Sequence, residues 1–388
     1  MIRRKAEDKI QYLVQKYPIV TITGPRQSGK TTLIQEMFKD RPYINLEKPD
    51  DREFAINDPN GFLAKYEDGV IIDEVQRVPE LFSYLQVLVD KKKQNTLFVL
   101  SGSQHFGLLN NVSQSLAGRT GIITLLPLSL EELQDRKNYS WQDFVYHGFY
   151  PKIYKDDLNP TDYYRDYVQS YLERDLRDLK AVHDLELFKK FMRLCAVRIG
   201  QPLNYSNISA DLGMSENTVR DWVNILATSY VIYLLPAYYA NIKKRLVKSP
   251  KLYFYDVGLV AYLLGIENIS HVDTHPLYSM LFENLCVIEA VKDRYNKGLE
   301  PNMFFYKDSA KEVDLIFSRG ANLIPIEIKS GSTVHEENFS GLKYFEKLFP
   351  KQTQSKTLVY AGEDEQERTY ANVINPWSIA RVINVSDI

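Results

Sequence analysis

The 388-residue chain has little cysteine, a net charge near zero and no long apolar run, and each shortage excludes a class of protein. Its two cysteines, Cys195 and Cys286, stand far apart and form neither a metal-ligand pair nor a redox pair. No run of about 18 apolar residues occurs, which argues against a membrane-spanning helix. The opening MIRRKAEDKIQYLV indicates a charged amphipathic helix and not a signal peptide. We therefore expect a cytoplasmic protein with no membrane partner.

The charge balance also limits how the chain can meet a nucleic acid. With a formal net charge of -2, it has no overall basic field to attract a phosphate backbone, so any DNA-binding surface must be a local patch. The length is sufficient for two or three domains, each with its own core.

A nucleotide-binding motif occupies the first third, in the segment YPIVTITGPRQSGKTTLIQEMF. An apolar strand, a glycine-flanked loop and an amphipathic helix follow one another, as the pattern G-x-x-x-x-G-K-[ST] requires. Glycines let backbone N–H groups surround phosphate oxygens at the positive end of the helix. Lys30 is expected to reach the β- and γ-phosphates of ATP, and Thr31 to offer its hydroxyl to Mg²⁺. The predicted phosphate-binding residues are Gly24, Pro25, Arg26, Gln27, Ser28, Gly29, Lys30, Thr31 and Thr32.

A second buried strand, GVIIDEVQ, ends in two acids. Asp73 is expected to hold Mg²⁺ through water, and Glu74 to activate the attacking water as a general base. The strand TLFVLSGSQ places Ser103 at the same sheet edge as a candidate nucleotide sensor, with a simple capping turn as the alternative. This alternation of strands and helices predicts an α/β fold, a doubly wound parallel sheet with ATP at the carboxyl ends of the strands.

Phosphoryl transfer also needs a cation that stabilises charge on the γ-phosphate, and Arg119 is the candidate. It lies in SLAGRTGIITLLPLSLEEL, just after a glycine. Its target is either the nucleotide of its own chain or that of a neighbouring subunit in a homo-oligomer. A surface salt bridge is the competing interpretation.

The middle of the chain, residues 151–260, predicts a tyrosine-rich helical linker followed by a winged helix-turn-helix. Ser215 is well placed to cap the third helix. The elements expected are helices at 185–199, 206–212 and 215–228, then strands near 230–239 and 251–256.

DNA contact by this middle region is one of two interpretations. The third helix offers Asn217, Thr218 and Arg220 near its start, where base edges are read. Glu216 and Asp221 on the same helix repel phosphate, and a solvated basic face is the alternative. The cations expected on the wing are Lys243, Lys244, Arg245, Lys248 and Lys251.

The last third, residues 261–388, carries acids and an amine in otherwise apolar strands. In LIPIEIKSG, Glu327 and Lys329 share one face because strand faces alternate with period two. Asp314 and Glu327 are expected to share one or two Mg²⁺ ions, while Lys329 orients or deprotonates the attacking water. Glu283, from the preceding helix, would complete the outer metal shell. A salt bridge on a half-exposed face is the alternative, and whether the site cuts a phosphodiester stays open.

The motifs TGPRQSGKTTL, IIDEVQ, LSGSQ, SLAGR, FEN, EVDLIF and IEIKSG occur in order over nearly the full length. In this the sequence resembles a bacterial and archaeal family of AAA+-like (ASCE) P-loop ATPases whose C-terminal domain was formerly of unknown function. The resemblance implies an ATPase domain over residues 1–150, a winged helix, and a C-terminal domain similar to the PD-(D/E)XK nucleases. Val313 departs from that nuclease motif, which has a proline at this position.

Together the motifs predict an ATP-binding, Mg²⁺-dependent ATPase whose nucleotide state controls the winged-helix and nuclease-like modules, with DNA as the expected partner. Two alternatives remain: an ATP-regulated, metal-dependent DNA nuclease, and a non-catalytic nucleotide switch that binds a protein partner.

Overall fold

A computed structural model describes residues 2–102, 115–136, 138–171, 184–239 and 249–384. The chain forms two compact units, each made of several segments. The three-domain division predicted from the sequence is finer than this one and stays a prediction. None of the described helices is both long and apolar enough to cross a bilayer. The first unit comprises Met1–Leu128, Thr228–Tyr230 and Arg294–Glu300; the second comprises Ser129–Ala227, Val231–Asp293 and Pro301–Ile388.

The first unit is built on a five-stranded sheet in the order β2-β3-β4-β1-β5, with every neighbouring pair parallel. This confirms the predicted α/β class with a parallel sheet. The strands are β1 Ile19–Thr23, β2 Tyr43–Asn45, β3 Val70–Asp73, β4 Phe98–Gly102 and β5 Thr120–Thr124. The helices are α1 Glu7–Lys16, α2 Lys30–Met37, α3 Pro49–Asn57, α4 Pro59–Ala64 and α5 Leu81–Lys92, with a 3₁₀ turn at Val75–Arg77.

Both faces of this sheet are covered by apolar residues. Successive residues of β1 alternate between two clusters, because side chains of a strand point to opposite faces in turn. Ile19 belongs to the cluster with Phe82 and Leu85 of α5, while Val20 belongs to the cluster with Ile10 of α1. A parallel sheet buried on two sides explains the uninterrupted apolar runs in the sequence.

The second unit begins with helices. They are α6 Trp141–His147, α7 Pro151–Lys155, α8 Pro160–Tyr171, α9 Leu185–Val197, α10 Tyr205–Leu212, α11 Glu216–Thr228, α12 Val257–Leu263, α13 Ser270–Thr274 and α14 Tyr278–Asn296, after a 3₁₀ turn at Leu130–Leu133. The helices predicted at 185–199, 206–212 and 215–228 are confirmed to within two residues. Capping explains their starts: the Asp184 and Asn204 side chains accept the N–H groups of Leu187 at 2.9 Å and Asn207 at 3.0 Å.

Two sheets complete the second unit. The smaller pairs β6 Ile232–Leu235 with β7 Lys251–Phe254 in antiparallel fashion. The larger has the order β12-β13-β11-β10-β9-β8. Its strands are β8 Met303–Lys307, β9 Glu312–Arg319, β10 Asn322–Lys329, β11 Thr357–Tyr360, β12 Gln366–Glu367 and β13 Asn372–Ile374. The remaining elements are α15 Ser340–Leu348, α16 Ile379–Asn384 and 3₁₀ turns at Glu336–Phe339 and Pro376–Ser378.

The small sheet is bonded directly to its neighbours within the second unit. Beyond β6, the Tyr238 N–H donates to the Phe305 carbonyl at 2.6 Å, and the Phe305 N–H donates to the Pro236 carbonyl at 3.0 Å. On the other side, the Asn284 amide pairs with both backbone groups of Phe254, at 2.8 Å and 3.0 Å. The segment that follows β6 and the six-stranded sheet are therefore joined by main-chain hydrogen bonds.

Candidate functional site

The loop between β1 and α2 adopts a conformation that requires glycine at two positions. Gly24 has a φ of 142° and Gly29 a φ of 93°, where other residues are strained. A Cβ atom on Gly24 would also lie 2.2 Å from the carbonyl oxygen of Leu125. A tight turn of this kind directs successive backbone N–H groups to one side, where they can bind an anion.

Lys30, the first residue of α2, is held by this loop. Its side chain is buried, and its Nζ donates to the carbonyl oxygens of Gly24 at 2.9 Å and Pro25 at 2.7 Å. The amine is therefore paired with polar groups of the loop and does not lie in apolar surroundings. The predicted loop residues Arg26, Gln27 and Ser28 follow Pro25, and Thr32 lies in the first turn of α2.

The Asp73 carboxylate, at the end of β3, gathers hydroxyl groups from three neighbouring segments. Its Oδ2 accepts from Thr31 Oγ1 at 2.7 Å and from the Tyr43 hydroxyl at 2.8 Å. Its Oδ1 accepts from the Glu74 N–H at 3.1 Å and from the Ser101 hydroxyl. Burial and the adjacent carboxylate raise the pKa of Tyr43, so the phenol stays a donor. The structure thus brings together Thr31 and Asp73, as predicted, and adds Tyr43 and Ser101.

Glu74 occupies a backbone conformation that is uncommon for a residue with a side chain. Its φ is 53°, in the left-handed region. Its carboxylate accepts a hydrogen bond from the Gln76 side-chain amide. A strained residue beside the acid that is predicted to hold Mg²⁺ is the kind of position where strain serves function. The geometry supplies a fixed carboxylate next to Asp73.

Two other predicted residues of this site are not placed in it by the described structure, for different reasons. Ser103 lies outside the described residues. Arg119 precedes β5, and its carbonyl accepts the N–H of Ile19, the first residue of β1. Arg119 therefore lies at the amino-terminal end of the strands, whereas the loop follows their carboxyl end, about 13 Å away along β1. Its guanidinium binds the Asp90 carboxylate at 2.6 Å and 2.8 Å, as in the competing interpretation of a surface salt bridge. Its action on a nucleotide, in its own chain or in a neighbouring subunit, stays a prediction.

Arg4 is a residue of this site that the sequence did not indicate. Its side chain is buried, and it donates to the carbonyl oxygens of Ser28 and Leu126, at 2.7 Å each. In the sequence MIRRK nothing distinguishes it from its neighbour Arg3, whose side chain is 81% exposed. Only the fold shows that Arg4 touches the loop.

A second polar site lies in the large sheet of the second unit, where the strands carry the predicted acids and amine. Asp314 lies on β9, and Glu327 and Lys329 lie on β10, its antiparallel neighbour. The Lys329 Nζ is 2.6 Å from Glu327 Oε1 and 3.5 Å from Asp314 Oδ2. Asp314 Oδ2 also accepts the Ile328 N–H at 2.8 Å. The three predicted side chains therefore converge.

Glu327 is the most unusual member of this group. The residue is 7% exposed, and its Oε2 is buried without a hydrogen-bond partner in the described part of the chain. A Cβ on Gly341 would come within 2.8 Å of that oxygen, so the glycine makes room for it. Burial and the nearby Asp314 carboxylate raise the pKa of Glu327 to about 8, although Lys329 opposes the shift. For Lys329, burial acts to lower the pKa, but the two carboxylates outweigh it and raise the pKa.

Glu283 is bound by the small sheet. Its Oε1 accepts from the Lys251 ammonium at 3.1 Å and from the Tyr253 hydroxyl at 2.6 Å. Lys251 also binds Glu312 at 2.6 Å and is only 2% exposed. Its prediction as a phosphate contact of the wing is therefore wrong. Burial and the Asp314 charge raise the pKa of Glu283, while Lys251 opposes them.

The donors at each predicted Mg²⁺ site can be compared with what the ion requires. Thr31 and Asp73 offer adjacent hard oxygens beside the phosphate-binding loop, and they fit the ion. In the C-terminal group, the unpaired Glu327 oxygen and Asp314 provide two such donors. Across the described residues, no group of three or more His, Cys, Asp or Glu side chains is arranged to hold a metal. Glu283 is therefore not a third direct ligand beside those two acids, and its place in the outer metal shell stays a prediction. An ion there would need backbone or water oxygens as well.

The candidate DNA-contacting residues lie at the start of α11. The Ser215 hydroxyl accepts the Thr218 N–H at 3.1 Å, which confirms the predicted cap. Arg220 lies over the Tyr205 ring at 4.0 Å and within 3.7 Å of Glu216. Asn217 lies in the same first turn. The wing cations Lys243, Lys244, Arg245 and Lys248 lie outside the described residues.

Comparison with known families divides the chain into three matched regions. The model described as an AAA domain matches residues 16–134. Two models described as domains of unknown function, DUF8612 and DUF4143, match residues 138–270 and 278–380. The first match agrees with the P-loop geometry, so this part of the chain is an AAA-type P-loop domain. The other two matches leave the nuclease-like assignment a prediction.

Relatives of the whole chain are found in several bacteria. Uncharacterized proteins of Mycobacterium tuberculosis and Mycobacterium bovis are each 30% identical over 337 residues, covering 85% of this chain and 74% of theirs. An uncharacterized protein of Haemophilus influenzae is 23% identical over 361 residues, covering 83% and 86%.

Among solved structures, a Walker-type ATPase of Pyrococcus abyssi matches with a TM-score of 0.46 and 15% identity, over 68% of this chain and 96% of that one. A RuvB protein of Thermotoga maritima matches with a TM-score of 0.32 and 17% identity, over 60% and 89%.

Proposed function

Because the chain belongs to the family of these mycobacterial proteins and carries an AAA domain, we propose that it is a Mg²⁺-dependent ATPase. One observation carries the proposal: the Thr31 hydroxyl and the Asp73 carboxylate are bonded at 2.7 Å beside the glycine loop. A hydroxyl from the loop and a carboxylate from the adjacent strand are the pair that P-loop enzymes use to hold Mg²⁺.

Each residue of this site has a distinct role in the proposal. The loop N–H groups bind phosphate oxygens, and Lys30 exchanges its two loop carbonyls for the β- and γ-phosphates. Thr31 and Asp73 would hold the Mg²⁺, and the ion would supply positive charge near the phosphates. Glu74 orients the attacking water and accepts its proton. Arg119 of a neighbouring subunit would supply the remaining positive charge, which makes a homo-oligomer part of the proposal.

Two variants separate binding from hydrolysis. Lys30→Ala should lose ATP binding, whereas Glu74→Gln should bind ATP normally and hydrolyse it about 10²–10⁴-fold more slowly. Lys39→Ala is the matched control, because that lysine lies just beyond the same helix and its side chain is 65% exposed. A phosphate-release assay and a labelled-nucleotide titration provide the two readouts. ATP binding by wild type without turnover would instead support the non-catalytic switch that binds a protein partner.

A second candidate function is metal-dependent phosphodiester cleavage, and the unpaired, buried oxygen of Glu327 favours it. A carboxylate buried beside Asp314 is costly unless a cation compensates it. Lys329 supplies one positive charge at 2.6 Å, and a divalent ion held by Asp314 and Glu327 would supply more and polarise the scissile phosphate. In this proposal Lys329 orients the water that attacks the phosphate. DNA is the expected substrate.

Cleavage is tested by incubating plasmid and single-stranded DNA with Mg²⁺ or Mn²⁺. Glu327→Gln and Lys329→Met should abolish cutting, while Glu336→Gln should not, since its carboxylate pairs with Lys343 on the surface. Equal cutting by wild type and Glu327→Gln would show that a contaminant is responsible. Measuring ATP turnover with and without DNA then tests whether the two activities are coupled.

DNA binding by the helix-turn-helix region is the remaining part of the proposal. Asn217, Thr218 and Arg220 are exposed or half-exposed at the start of α11, as a winged helix that reads a groove requires. Replacing Asn217 and Thr218 with alanine should weaken binding to duplex DNA. A salt titration distinguishes this from charge attraction alone, because non-specific binding falls steeply with salt.

A further inference from the structure

We propose that Arg4 is a positioning residue of the nucleotide site, which sets the direction in which the phosphate-binding loop presents its N–H groups. The proposal rests on the ATPase function above and assigns a role to a segment outside the P-loop motif. Arg4 is not proposed to touch the phosphates. It acts through the backbone of Ser28.

The Arg4 side chain forms hydrogen bonds with the main chain of two separate segments. Its Nη1 donates to the Ser28 carbonyl and its Nη2 to the Leu126 carbonyl, at 2.7 Å each. The side chain is buried, and a guanidinium is costly to bury unless it donates such hydrogen bonds. One rigid, planar group therefore ties the end of the loop to the segment that follows β5.

The direction of the Ser28 carbonyl fixes the direction of the next N–H. In a trans peptide the C=O of one residue and the N–H of the following residue point to opposite sides. With the Ser28 carbonyl turned toward Arg4, the Gly29 N–H points away from Arg4. Because a cation on the carbonyl polarises the peptide, it also strengthens that N–H as a donor. An anion on the far side of the loop meets an N–H that is already oriented.

The other end of the loop has a separate anchor. The Leu125 N–H donates to the Thr23 carbonyl at 2.8 Å, and Gly24 packs directly against the Leu125 carbonyl. Removing Arg4 therefore frees the Ser28 end of the loop while β1 and the Gly24 end stay in place. We therefore expect replacement of Arg4 to weaken phosphate binding more than it lowers the free energy of unfolding.

The test compares Arg4→Met and Arg4→Lys with Arg3→Met in the full chain. Arg3 is the matched control, since it is the neighbouring arginine and its side chain is 81% exposed. Arg4→Met should raise the KM for ATP and the Kd for ADP about 10-fold or more, with kcat within about threefold of wild type. The KM and Kd of Arg4→Lys should lie between those of wild type and Arg4→Met, because an ammonium can still donate to a carbonyl. Arg3→Met should behave as wild type.

The split between KM and kcat distinguishes positioning from folding. Partial unfolding lowers the fraction of active enzyme and therefore kcat, but it leaves KM unchanged. A wild-type KM and Kd in Arg4→Met would refute the proposal, as would a change of equal size in Arg3→Met. If Arg4→Met does not fold, Arg4→Lys decides, and a wild-type KM there refutes the proposal. Wild type that binds ADP without hydrolysing ATP would overturn the ATPase function alone, and the Kd values would then decide the role of Arg4.

Discussion

Replacement of Lys251 by methionine tests the buried ion network of the second unit. Methionine keeps much of the lysine volume and removes the charge. The ammonium is 2% exposed and contacts Glu283 at 3.1 Å and Glu312 at 2.6 Å. Without it, Glu283 retains the Tyr253 hydroxyl, and Glu312 retains Lys307 at 2.6 Å.

The size of the expected loss of stability depends on which partner of Lys251 is left buried and unpaired. Breaking a buried pair by removing one member costs about 3–5 kcal/mol, because the other charge is left uncompensated. Glu283 is 6% exposed and suffers this penalty, whereas Glu312 is partly exposed and keeps a second amine. We therefore expect Lys251→Met to lower the free energy of unfolding by about 3–5 kcal/mol. Lys307→Met, whose side chain is 51% exposed, should cost about 1 kcal/mol or less.

Tryptophan fluorescence can report this change for the second unit alone. The chain has three tryptophans, Trp141, Trp222 and Trp377, and all three belong to that unit. Urea denaturation followed by fluorescence gives the free energy of unfolding of wild type, of the single variants Lys251→Met, Lys307→Met and Glu283→Gln, and of the double variant Lys251→Met/Glu283→Gln.

The double variant provides the decisive comparison. If the penalty comes from an unpaired Glu283 carboxylate, neutralising that residue should recover about 1–3 kcal/mol of the loss. A Lys251→Met variant no less stable than Lys307→Met would refute the argument. So would a double variant whose loss of stability equals the sum of the losses in Lys251→Met and Glu283→Gln.

Three further predictions concern separate positions. Gly24→Ala should destabilise the first unit by about 2 kcal/mol or more and abolish ADP-induced thermal stabilisation, because its Cβ would lie 2.2 Å from the Leu125 carbonyl oxygen; normal ADP stabilisation would contradict this. Because the pKa of Glu327 rises from 4.5 to about 8 on folding, the folded state holds more protons between these values, and the free energy of unfolding should fall as pH rises through that window. Urea denaturation at pH 5, 7 and 9 should show this slope in wild type and a flatter one in Glu327→Gln; equal slopes would contradict it. Arg119→Ala should leave stability nearly unchanged, because its Asp90 partner is on the surface, and mixing it with Lys30→Ala should restore ATP turnover if Arg119 serves a neighbouring subunit.

The local parts of both sites could be predicted from the sequence. The glycine spacing and the following lysine and threonine fix the phosphate loop, because the residues that matter are adjacent in the chain. The convergence of Asp314, Glu327 and Lys329 was also predictable, since strand periodicity places two of them on one face.

The long-range supports could not be predicted. Arg4 and Ser28 are 24 positions apart, and Lys251 and Glu283 are 32 positions apart. Each pair is brought together by packing of segments that no local pattern relates. Lys251 was misassigned for a related reason: it follows a run of basic residues, but it begins a strand in which every residue is buried. The basic composition of the segment predicted that Lys251 is exposed, but the position of its strand in the fold buries it.

The hydrogen bonds that link residues 236–238 to Phe305, and Asn284 to Phe254, determine how the chain can be dissected. A fragment cut at residue 260 would expose the edge of β8 and would leave Asn284 of α14 without its partner Phe254 on β7. Expression of such a piece should yield aggregated material. The shortest C-terminal fragment worth crystallising therefore starts near Ser129, so that both sheets are produced together.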